Sequence, residues 1–95
     1  MHKIPFRYEC ALKLKDATFY PDFTIRHPKS GNYFYWEHFG LMDSPSYAQQ
    51  TFQKLNLYCQ SGIIPTINLI TTYETKEQPL TSQAIENIIQ EYFVF

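Results

Sequence analysis

The chain has 95 residues, 44% of them hydrophobic and 18% aromatic, with a formal net charge of −1. That length makes one domain able to bury roughly 60–65% of its unfolded surface, and the composition is too apolar for a disordered segment. No apolar run approaches the roughly 20 residues that span a bilayer, MHKIPFRYEC lacks the apolar centre of a signal peptide, and global electrostatics does not announce a nucleic-acid binder.

In chain order, Tyr8 to Leu14 alternates Tyr8, Cys10, Leu12 and Leu14 against Glu9, Ala11 and Lys13, which predicts a half-buried strand. Asp16 to Thr18 is a short connection. Phe19 to Arg26 alternates again, with Phe19, Pro21, Phe23 and Ile25 on one side and Tyr20, Asp22, Thr24 and Arg26 on the other. Pro21 removes a ladder donor, so this strand starts late or has an irregular edge there. Pro28-Lys29-Ser30-Gly31 signals a turn, and Asn32 to Phe39 is rich in strand-forming aromatics.

Gly40 to Pro45 breaks the pattern. Ser44 then caps a helix from about Pro45 to Gln60, with proline at its first position and Gly62 as its stop. Ala48, Phe52, Leu55 and Cys59 recur at helical spacing. Ile67 to Tyr73 is a fourth strand, and Thr81 or Ser82 caps a last helix whose Ile85, Ile88, Ile89 and Tyr92 follow i, i+3, i+4, i+7. The order β-β-β-α-β-α describes an α/β domain over residues 1–95, with a mixed sheet flanked by helices. Its expected core includes Phe23, Ile25, Phe34, Trp36, Phe52, Leu55, Leu69, Ile85, Ile88 and Ile89.

Charge is unevenly spread. Residues 1–30 hold six basic against three acidic residues, a net +3, and residues 31–95 hold two against six, a net −4. A basic N-terminal hairpin suits contact with phosphate or a solvated strand face equally well. Cys10 and Cys59 form no CxxC pair and are expected as reduced, partly buried thiols. With His2, His27 and His38 they lack zinc-ligand spacing.

Two carboxylates stand out within aromatic-rich strands. With the four-residue loop Pro28 to Gly31, Arg26 faces Tyr33, Thr24 faces Tyr35, Phe23 faces Trp36, and Asp22 faces Glu37. Opposed Cβ atoms lie about 4.5–5.5 Å apart, where like charges destabilise. A two-residue loop would pair Glu37 with Thr24 and still leave both carboxylates on one face; only an odd slip or a bulge separates them. Such a pair shares a proton, finds cations from the protein, binds a divalent metal through hard oxygen ligands, or stands in water at strand ends. Tyr47, Thr51, Lys54 and Tyr58 form one stripe of the following helix, and Lys54 is the only basic residue between Lys29 and Lys76.

Tyr20-Pro21-Asp22-Phe23, followed by Tyr35-Trp36-Glu37-His38-Phe39-Gly40, resembles the signature of the PD-(D/E)XK nuclease superfamily, and the likeness extends from about Tyr8 to Tyr92. It implies a restriction-endonuclease-like fold and metal-dependent hydrolysis of DNA phosphodiesters. Asp22 and Glu37 match the metal-binding carboxylates, and the backbone carbonyl of His38 matches the third ligand of Mg²⁺ or Mn²⁺. The family's lysine belongs two residues after the glutamate, where Phe39 stands, so Lys54 takes its role as a residue migrated to the helix. The N-terminal helix of many members is reduced or absent here, and Glu9 is the only nearby replacement for the acidic residue it carries.

The resemblance therefore implies a cytoplasmic DNA-cleaving domain, complete as a reduced version of the fold, as a homodimer, or as a fragment of a larger host polypeptide. The competing expectations are a catalytically silent relative that binds DNA or a protein, and a small dimerisation domain whose aromatics form a partner surface.

Overall fold

The computed structural model describes residues 4–14 and 17–94. Six strands and two helices follow in the order β1 (Phe6–Tyr8), β2 (Leu12–Lys13), β3 (Thr18–Phe19), β4 (Phe23–Arg26), β5 (Tyr33–Phe39), α1 (Pro45–Gln60), β6 (Leu69–Tyr73) and α2 (Ser82–Phe93). The main sheet is mixed, in the order β1-β4-β5-β6, and β2 with β3 forms a small second sheet. The architecture is thus a small α/β domain with four strands in its main sheet.

The hairpin of β4 and β5 has the register expected of a four-residue loop: Phe23 opposes Trp36, Thr24 opposes Tyr35, and Arg26 opposes Tyr33. The His27 amide donates to the Asn32 carbonyl, and the Gly31 amide donates back to His27. The backbone amides of Lys29 and Ser30 both donate to His27 Nδ1, so this buried histidine holds the turn together. Gly31 has φ +75°, a conformation that glycine adopts without Cβ strain. Parallel pairing of β5 with β6 requires a crossover, and α1 supplies it.

The N-terminal third departs from the expected pair of long strands. The alternation from Tyr8 to Leu14 breaks at Glu9, whose φ of +44° turns the chain out of the sheet. Residues 6–8 then pair with β4, and residues 12–13 pair with β3 instead. Of the expected connection at Asp16 to Thr18, Asp16 lies outside the described residues and Thr18 opens β3. The run from Phe19 to Arg26 is likewise broken at Tyr20 to Asp22, where Pro21 is fully buried, and β4 begins only at Phe23.

Alternation along β5 and β6 divides the core between two faces. Tyr35 and Leu69 pack with Phe19, Tyr58 and Ile63 on the α1 side. Trp36 and Ile70 pack with Ile25, Phe93 and the half-buried Ile85, Ile88 and Ile89 on the α2 side. Ser44 caps α1 as expected, with Pro45 at its first position, and Thr81 caps α2.

The expected burial of Phe52 fails. It is 65% exposed, and Cys59 is exposed as well, because α1 turns the Thr51–Tyr58 stripe inward instead. Among the described residues no helix is long and apolar enough to cross a membrane. Phe93→Ala, at a side chain only 2% exposed, is expected to cost about 3–5 kcal/mol in urea denaturation. Phe52→Ala should change stability by no more than about 0.5 kcal/mol.

Candidate functional site

Glu37 sits in the middle of β5, opposite Thr71 of β6, and only 3% of it is exposed. An ionised carboxylate in that position needs partners that replace its water. α1 provides two of them on one oxygen. Lys54 Nζ lies 2.6 Å from Glu37 Oε2, and the Tyr58 hydroxyl donates to the same atom at 2.7 Å. Lys54 and Tyr58 are four residues apart, which puts them one above the other on the helix. Lys54 reaches the carboxylate from the rim with 38% of its side chain exposed, whereas Tyr58 is wholly buried beneath Phe19, with ring centroids 4.2 Å apart. Higher on the same stripe Thr51 is buried, and the Tyr47 hydroxyl accepts from the Gly40 amide.

Asp22 is placed by the proline before it. The β4–β5 ladder closes its hydrogen-bonded pairs at His27 with Asn32, Ile25 with Phe34 and Phe23 with Trp36. The next pair would be Pro21 with His38. Proline has no N–H to give, so the His38 carbonyl loses its ladder donor on that side. The His38 amide is taken at 2.7 Å by Asp22 Oδ2 instead of by a backbone carbonyl. The Glu9 amide donates to the Asp22 carbonyl and pins the residue from the other side. Glu9 contributes through its backbone, and its side chain is exposed.

Burial pushes the Tyr58 hydroxyl far above the ordinary tyrosine range, followed by its hydrogen bond to Glu37 and the charges of Glu37 and Asp22. The phenol is therefore fixed as a neutral donor. Asp22 reaches the same stretch of β5 through the backbone amide of His38, the residue after Glu37. The structure thus joins Glu37 to Lys54 and Asp22 to the His38 backbone, while the β4–β5 pairing ends at Phe23 with Trp36, one position short of the expected Asp22–Glu37 pair.

The imidazole of His38 points the other way. Its Nδ1 lies 2.8 Å from Thr72 Oγ1 and its Nε2 2.9 Å from Glu74 Oε1, on the α2 side. Trp36 Nε1 donates to the same Thr72 oxygen at 3.1 Å. A neutral ring with its proton on Nε2 satisfies every partner: Trp36 gives to Thr72, Thr72 to His38, and His38 to the acceptor-only carboxylate. The bond from His38 and a backbone contact at Leu80 hold the Glu74 carboxyl below the usual carboxylate range. This network and the Tyr58–Glu37 bond were not legible in the sequence. The one signal of the network was the spacing of Thr72 and Glu74 two residues apart at the end of the fourth strand, and that of the Tyr58–Glu37 bond was the Tyr47, Thr51, Lys54, Tyr58 stripe.

Among the described residues no group of three or more His, Cys, Asp or Glu side chains converges as a metal site. A divalent cation would instead meet two carboxylates and one carbonyl. Asp22 Oδ1, Glu37 Oε1 and the donor-deprived His38 carbonyl stand outside the hydrogen bonds just described. All are hard oxygens of the kind Mg²⁺ takes, so the residues fit such an ion. Protein-family models, curated proteins and solved structures were all compared with the chain, and none matches.

Tyr58→Phe is expected to cost about 1.5–3 kcal/mol, the scale of a hydrogen bond to a charged group, measured by chemical denaturation at neutral pH. A hydroxyl whose pKa is raised on folding adds stability that is complete below its unfolded value, about 10, and is lost as pH climbs beyond it. The wild type should therefore weaken above about pH 10 by more than the Tyr58→Phe variant does.

Proposed function

We propose that this domain is a PD-(D/E)XK-type phosphodiesterase, a cytoplasmic nuclease with a restriction-endonuclease-like sheet that cuts DNA with Mg²⁺ or Mn²⁺. The observation that carries the reading is Lys54 Nζ at 2.6 Å from Glu37 Oε2. The lysine missing from the position of Phe39 is supplied from α1 to the carboxylate it should accompany. The three antiparallel strands β1, β4 and β5, the crossover helix and the parallel strand β6 support the same reading.

Asp22, Glu37 and the His38 carbonyl would hold the ion. When bound, it supplies polarisation of the phosphoryl oxygen and a lowered pKa for a coordinated water. The protein's own groups then divide the work. Asp22 is oriented by the His38 amide through one oxygen, which leaves the other outside that bond. Glu37 Oε2 is held by the Tyr58 hydroxyl and the Lys54 ammonium. The Lys54 ammonium, exposed at the rim, is placed to neutralise charge that develops on the phosphoryl oxygens and to orient the attacking water. Burial of Glu37 keeps competing water from these contacts and strengthens each of them.

A catalytically silent module that binds DNA or a protein is the second reading. It is favoured by the direct pairing of Lys54 with Glu37, which satisfies the carboxylate without an ion.

The two readings separate in one set of measurements. Mg²⁺ or Mn²⁺ should raise the melting temperature of the wild type by mass action, and DNA should be cleaved only in their presence. Lys54→Ala should retain the metal-induced shift while losing roughly 10²-fold or more in cleavage rate. Asp22→Asn should lose both. A wild type that cleaves no DNA substrate with either metal overturns the nuclease reading and favours the silent module.

A further inference from the structure

Two members of the basic N-terminal third, Arg7 and Arg26, have no part in the site described so far, and the sheet register places both. Tyr35 packs on the α1 side, so by alternation Tyr33 and Glu37 share its face. Thr24 opposes Tyr35 and Arg26 opposes Tyr33. Arg7 opposes Thr24 across the β1–β4 pair. Their neighbours confirm the parity, since Phe6 and Tyr8 put their rings against Phe23 on the other face. Arg7 and Arg26 therefore project from the same face as Glu37.

Both arginines are exposed, and neither makes a salt bridge among the described residues. The Arg26 guanidinium lies over the hairpin turn, where Nη2 would stand 3.5 Å from a Cβ on Gly31. Tyr33, directly opposed to it, is 56% exposed. The opposite side of the domain is acidic, with Glu74 beyond β6 and Glu86 and Glu91 on α2.

We infer that the stripe Asp22–Arg7–Arg26–Tyr33 is the path of a single strand of DNA, which it delivers to the carboxylate site; the identity of the strand as substrate rests on the nuclease reading. From Asp22 to Arg26 the chain advances four residues, about 13 Å of extended strand. Arg7 stands level with Thr24, midway along this span and one strand aside, so the two guanidiniums meet successive stretches of backbone. Guanidinium is the side chain suited to bidentate phosphate contact. The exposed Tyr33 ring beside Arg26 offers a stacking surface to an unpaired base, which a duplex does not present.

The test is fluorescence anisotropy with a labelled 20-nucleotide oligothymidylate and a duplex of equal length, in EDTA so that no cleavage intervenes, over a salt series. Wild type, Arg7→Gln, Arg26→Gln and the double variant are compared, with melting temperatures to show that these surface changes leave the fold intact. Each single variant should weaken single-strand binding by roughly three- to tenfold and reduce the salt slope by about 0.7, the share of one phosphate contact. Tyr33→Ala should weaken binding without changing the slope. Unchanged affinity and slope in the double variant, or no binding by the wild type, overturns the path. Preferential binding of the duplex overturns its assignment to a single strand. Arginine-dependent binding by a wild type that cleaves nothing with Mg²⁺ or Mn²⁺ supports the path and removes the nuclease reading alone.

Discussion

The domain is organised around one buried charge. Glu37 occupies the central part of an inner strand, and its carboxylate is stable there only because a cation and a strong donor converge on one of its oxygens. Both come from α1, one helical turn apart, so the helix is locked in rotation and position by a polar contact. The orientation of α1 follows from that lock. Apolar residues that a helix ordinarily buries, such as Phe52 and Leu57, are left in solvent, while Thr51 and Tyr58 go inside. On the opposite face no such constraint exists, and α2 packs conventionally through its isoleucines and Phe93.

This difference explains what was legible in the sequence. The β4–β5 register followed from the Pro28–Gly31 turn and two-residue alternation, and the helix boundaries followed from Ser44, Pro45 and Thr81, because all are local signals. The late start of β4 was foreseeable from Pro21. The split of the first strand was not, since nothing in alternating residues announces that Glu9 adopts a positive φ. The inward face of α1 was misjudged by its apolar spacing, which carries no information about what the helix meets. Only the buried carboxylate opposite makes the Thr51–Lys54–Tyr58 stripe the better face. The stripe itself was visible as a pattern, and its reason lay in another element.

His38 shows how one residue serves two sides of a sheet. Its backbone belongs to the carboxylate site through the amide held by Asp22. Its imidazole belongs to the α2 face, where Thr72 and Glu74 fix its tautomer and Trp36 completes the chain of donors. The ring cannot rotate freely without breaking two hydrogen bonds, and so β5 is clamped to β6 at the level where Glu37 faces the other way. The polar network on one face thereby steadies the strand that carries the charge on the other, a mechanical coupling that needs no contact between the two sets of side chains.

The pairing of proline and aspartate at positions 21 and 22 then acquires a physical meaning beyond sequence likeness. In an uninterrupted antiparallel ladder His38 would exchange both of its backbone hydrogen bonds with the residue at position 21. Proline cannot return the second of them, so an oxygen acceptor is left without its usual donor at the end of β4. The chain bends there, and the aspartate that follows replaces the missing acceptor for the His38 amide with one of its own carboxylate oxygens. One substitution of backbone chemistry thus removes a donor from the His38 carbonyl and fixes a carboxylate on the His38 amide, one residue along the chain from the carboxylate held by the helix. An alanine at position 21 would restore the donor and let β4 extend by a pair. The His38 amide would then pair with the backbone of position 21, and Asp22 would lose the partner that fixes its carboxylate, even with every charged residue still present.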